Sequence, residues 1–145
     1  MSKPRFPLQA ALRVRQLAVE REEAQLQVLH AERERLQQEV VAAARSAHQT
    51  REQLQQDPQS WVPYLSFADR HVMAMQRRQE SLQSALQQQH ARIQEQQSRV
   101  RQARQAAELL VRMRDRAALE WQREEAKRLE ELAAESYLSR LARER

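Results

Sequence analysis

Asp57-Pro58-Gln59-Ser60-Trp61-Val62-Pro63 is the one clear break in this chain, and the reading of the fold starts there. A residue that precedes proline is pushed out of the α region. A helix arriving from the N-terminal side therefore stops near Gln56. Pro63 is acceptable in a first helical turn, where its missing N–H is not needed. Ser60 is the candidate N-cap, since its hydroxyl suits the open amides of a helix start. A second helix is expected to begin between residues 61 and 64. Helices joined by so short a turn lie antiparallel as neighbours.

Outward from the break, both flanks carry a heptad seam. Positions 8, 12, 15, 19, 22, 26, 29, 33, 36, 40, 43, 47, 50 and 54 alternate steps of four and three. They are apolar except at Arg15, Glu22, Arg33 and Thr50, which predicts a helix over 8–56, about 73 Å long. On the other side the same steps run through 65, 68, 72, 75, 79, 82, 86, 89, 93, 96, 100, 103, 107 and 110. Here the interruptions are Gln79, Gln89 and Gln96. Buried polar residues in such a seam either fix its register or mark where it opens onto a partner. Helix two is expected over about 64–143. Helix one covers it only to about residue 113, so roughly 115–145 should project as a single helix. Past Trp121 the phase drifts to steps of four (Leu129, Ala133, Tyr137, Leu141), as at a stutter or at the end of pairing. The expected fold is all-α, a long antiparallel two-helix coiled-coil hairpin forming one elongated domain over 1–145.

Composition narrows the chemistry. The 145 residues include no glycine. A phosphate-cradling loop needs glycine so that backbone can approach the phosphates, and a nucleophile elbow needs it for its strained turn. The 23 Gln, 23 Arg and 17 Glu, with many Ala and Leu, are mostly strong helix formers. No cysteine is present, which removes disulfides and thiolate metal sites. His30, His48, His71 and His90 are scattered without an i, i+4 pair, so no metal site is expected. Glu22-Glu23, Glu124-Glu125 and Glu130-Glu131 are adjacent and point in different directions on a helix. Paired-carboxylate catalysis also needs a pocket that shifts their ionisation. The reading is a binding or scaffolding part, without cofactor, rather than an enzyme. The opening residues lack a signal peptide's apolar core, and no run of about 18 apolar residues would span a membrane.

The net charge of +5 is uneven: +2 over 1–56, −1 over 57–75, +5 over 76–116 and −1 over 117–145. A basic segment can bind nucleic acid. Segment 76–116 has no aromatic platform and no recognised fold for that purpose, so a solvated face or an acidic protein partner is the expected use, with no nucleic acid. Trp61, Tyr64 and Phe67 gather near the turn, either as a cap that packs the two helices or as interface anchors.

The chain as a whole resembles the FliJ family, the small stalk protein of the flagellar type III export apparatus, and its YscO-type relatives in virulence secretion. The opening Phe6-Pro7-Leu8-Gln9-Ala10-Ala11-Leu12-Arg13-Val14-Arg15 is similar to the family's start. Trp61, Tyr64 and Phe67 match a W-x-x-Y-x-x-F pattern of some flagellar members. Lys127-Arg128-Leu129-Glu130-Glu131-Leu132-Ala133, after Asp115-Arg116, resembles a K-x-L/M-(D/E)-E-(L/F)-A stretch. The resemblance implies a coiled coil similar to that of the rotary ATPase gamma subunit. The implied partners are the FliI export ATPase hexamer, the cytoplasmic domain of the export gate FlhA, and export chaperones. The implied place is the cytoplasm, peripheral to the inner membrane.

Carried over by position, the implied gate contacts are Tyr64, Phe67, His71, Ala74 and Arg78, with Glu39, Ala43, Ser46 and Thr50 across the hairpin. Phe67 and Ala74 keep the family pattern, and His71 and Arg78 depart from it. The terminal end is implied to enter the ATPase ring through Leu8, Leu12, Trp121, Leu129, Leu132, Tyr137, Leu138 and Leu141. The competing expectation is a self-assembling structural coiled coil, in which the apolar face over 129–141 pairs with its own copy.

Overall fold

The computed structural model describes residues 5–144, with the side chains of Ser60 and Trp61 excepted. Helix α1 spans Gln9–Gln56, a short helix α2 Pro58–Trp61, a single 3₁₀ turn Val62–Tyr64, and α3 Leu65–Glu144. No strand occurs among the described residues, and the two long helices pack against each other as an all-α hairpin.

The chain enters α1 through a backbone turn, the Gln9 N–H donating to the Phe6 carbonyl at 3.1 Å. At the other end the Asp57 N–H still reaches the Gln53 carbonyl at 3.3 Å, so α1 keeps its ladder up to the residue before Pro58. Pro58 then opens α2 in the first helical position, where a ring-locked φ is already helical. This corrects one expectation. Ser60 lies inside α2 instead of ahead of the second helix, because Pro58 restarts the helix two residues earlier; its capping hydroxyl falls outside the described side chains. No described residue has positive φ, so the reversal is built from helical turns and needs no glycine.

The chain divides into two compact units. In the unit formed by 21–100, Leu36, Ala43 and Ala47 of α1 face a buried row on α3: Ala68, Val72, Leu82, Ile93 and Val100. In the unit formed by 1–20 and 101–145, the buried apolar residues are Leu12 and Ala107, with Phe6, Ala103, Ala106, Leu110, Ala118 and Trp121 half-buried. The heptad positions account for this burial: of the fourteen over 8–54 only Leu8, just ahead of α1, and Arg15 are exposed, and on α3 only Leu65. An apolar stripe at alternating steps of four and three keeps facing its neighbour only if both helices carry it, as these do.

Candidate binding surfaces

Three surfaces follow from this packing: a polar layer within the seam, a face beside the turn, and the C-terminal part of α3.

The polar layer lies inside the 21–100 unit. Gln89 and Gln96 are only 2% and 4% exposed. The Gln89 side-chain amide donates across the seam to the Leu29 carbonyl at 2.9 Å. The Gln96 amide donates to the Glu22 carbonyl at 3.0 Å and to the Glu22 carboxylate. Each helical carbonyl has a second lone pair left after its own ladder bond, and these amides occupy it. The partners step by seven along both helices in opposite senses, so a heptad on one strand is matched by a heptad on the other. The Gln96–Glu22 side-chain bond, which a heptad shift would break, makes that pair a register pin, and both glutamines are buried, so neither of these two layers opens onto a partner. Other polar atoms fare worse: His30 Nδ1 and Arg33 Nε are buried without a hydrogen-bond partner, an arrangement that costs on the order of 1–3 kcal/mol per atom.

Beside the turn, the implied gate face is brought together across the hairpin. Ser46 Oγ and His71 Nε2 share a hydrogen bond at 2.9 Å. Arg78 stands 3.7 Å from the carboxylate of Glu39, which also pairs with Arg35, and Arg35 reaches back to Glu32 at 2.5 Å. The Arg35 guanidinium holds the Glu32 carboxyl below its ordinary range, first through the hydrogen bond and then through its charge, and Arg35 is raised in return. Thr50 donates to the Ser46 carbonyl at 3.1 Å. His71 and Arg78, the two positions that depart from the family pattern, therefore tie α3 to α1. Phe67 is 73% exposed and Tyr64 58%, so neither is a cap that fills the space between helices; the side chain of Trp61 lies outside the described residues. Ala74 is exposed as well. Ala43 is buried in the seam and offers no surface, which removes it from the contact candidates.

At the terminal end, Leu12 is fully buried, and it too is a seam residue instead of a contact. Leu8 is just exposed. Trp121 is half-buried and lines a groove of about 730 Å³ with Phe6, Pro7, Arg114 and Ala118. Contact with α3 therefore reaches Trp121 through residues ahead of α1, beyond what helix one itself covers. The non-helical residues 5–7 lie along α3 past the point where α1 begins, which the heptad count could not include because they carry no helical period. From residue 122 to 144 every residue is exposed except Glu125. Leu129, Leu132, Tyr137, Leu138 and Leu141 are among them.

Family models, curated proteins and solved structures yield no match to this chain.

Among the described residues, no group of three or more His, Asp or Glu side chains is placed to hold a metal ion. Among the same residues, no helix is long and apolar enough to cross a membrane. The sequence located the C-terminal apolar face and the turn face. It missed the groove between Phe6 and Trp121, for which the only advance signal was the presence of two aromatics on strands that the register brings side by side.

Proposed function

We propose that this chain is a docking component without chemistry of its own, and specifically a stalk of a bacterial type III export apparatus that links the export ATPase to the export gate and chaperones. The supporting observation is the C-terminal stretch of α3. A helix without packing is only marginally stable in water, and residues 122–144 present exposed leucines and a tyrosine with no covering element among the described residues. Such faces serve as helix-in-groove ligands. The second surface, Tyr64, Phe67 and Ala74 beside a pinned hairpin, suits a gate contact, because aromatic anchors bind best when their backbone is already fixed.

The test is co-purification with the cognate export ATPase hexamer together with its hydrolysis rate. Intact chain is compared with a version ending after Gln122, which keeps the Trp121 groove. The stalk reading expects the intact chain to bind and stimulate and the shortened one to lose both. Absence of binding by the intact chain overturns it.

A further inference from the structure

We propose that the exposed C-terminal face of α3 is covered, in the chain on its own, by a second copy of the same segment running antiparallel.

Two features of residues 122–145 fit a copy of itself. The first is charge. Over 125–134, the stretch that a two-fold axis at residue 135 sets opposite 136–145, three carboxylates (Glu125, Glu130, Glu131) outnumber Lys127 and Arg128, giving a net of −1. Over 136–145 three arginines (Arg140, Arg143, Arg145) outnumber Glu144, giving +2. An antiparallel copy sets each acidic half on a basic half, and a parallel copy sets like on like. The second feature is shape. Leu129, Ala133, Tyr137 and Leu141 step by four along one stripe, and the stripe is symmetric about Glu135. A two-fold axis there brings Leu129 against Leu141 and the small Ala133 against the large Tyr137. Small against large is the way facing positions interdigitate, and a two-fold contact of this kind is isologous: each residue pair occurs twice. Leu129, Tyr137 and Leu141 are all exposed in the single chain, so nothing has to be unpacked for the second copy to bind. Any other partner that uses this face competes with the copy.

Solution mass decides the first part. Sedimentation of the intact chain across the micromolar range should give twice 17.2 kDa. The triple variant Glu130→Arg, Glu131→Arg, Glu135→Arg and the triple variant Arg140→Glu, Arg143→Glu, Arg145→Glu should each run as monomers. An equimolar mixture of the two should return to the doubled mass, since each half again meets a half of opposite net sign. The absence of cysteine permits a direct test of direction. Leu129→Cys mixed with Leu141→Cys should give a disulfide-linked pair. Neither variant alone should cross-link, since its own cysteines stand about 18 Å apart in the antiparallel pair, far beyond disulfide reach. A monomeric intact chain overturns the proposal, whether or not it sediments with anionic vesicles. So do charge variants that remain dimeric alone, a mixture that stays monomeric, or cross-linking of each cysteine variant with itself.

Discussion

A glutamine in a coiled-coil seam is ordinarily a loss of apolar contact, yet Gln89 and Gln96 each gain an acceptor on the opposing main chain. A leucine at either position packs better but tolerates a slipped pairing equally well. Replacing both (Gln89→Leu with Gln96→Leu) should raise the thermal midpoint while allowing pairings shifted by a heptad. Cysteine pairs at heptad-shifted positions should then cross-link in the double variant and not in the parent, whereas pairs at matched positions should cross-link in the parent. At Glu32 the expected readout is spectroscopic. Its carboxyl is held low by Arg35, so the bridge is complete above the ordinary carboxylate value and is lost as pH falls through the lowered one. A carboxyl-carbon titration by NMR should place Glu32 below the other exposed glutamates, and Arg35→Gln should return it to their range. Sequence alone identified the seam glutamines as polar interruptions. It could not assign their role, because which group each amide meets depends on how the two helices align. The same holds for His71 and Arg78, whose partners Ser46 and Glu39 lie far off along the chain.

At the level of elements, the helices were legible because three signals agreed: strong formers throughout, an unbroken heptad on each side, and prolines only at the start and the turn. The turn itself was less so. Two prolines signalled a break, but a four-residue helix and a 3₁₀ turn between them have no periodicity to read. Small residues shape the seam beside that turn. Ala43, Ala47 and Ala68 are all buried, and alanine leaves room for the opposing helix to approach closely. Ala47→Leu forces extra methylenes into that space and should lower stability by about 1–3 kcal/mol, measured by urea unfolding. The same change at Ala42, exposed on α1, should have little effect. A hairpin that lost nothing at Ala47 would mean that the two helices are not held close there.

Across the whole molecule the buried apolar residues are unevenly shared. The unit built from 21–100 buries Leu36, Val72, Leu82, Ile93 and Val100 along with three alanines, whereas among the described residues of the unit of 1–20 and 101–145 only Leu12 and Ala107 are buried. Local opening free energies follow buried apolar contact. Native-state hydrogen exchange should therefore find amides of α1 near Leu12, in its first turns, exchanging well before those near Leu36 in its middle. Equal protection along α1 would show that the hairpin opens as a single unit. Part of this difference was legible in sequence, since residues past about 115 were expected to project and Arg15 interrupts the seam; the exposure of Leu8 was not, because its position continues the heptad.

The separation between the register pin and its acceptor also bears on synthesis. Glu22 leaves the ribosome 74 residues ahead of Gln96, which at ordinary elongation rates is roughly 4–15 s. During that time the nascent α1 carries Leu26, Leu29, Leu36 and Val40 with no second helix to cover them. A message truncated before codon 89 yields a chain that keeps Ala68, Val72 and Leu82 for the part of α1 beside the turn but leaves Leu26 and Leu29 with no helix to cover them, a substrate for holdases and proteases.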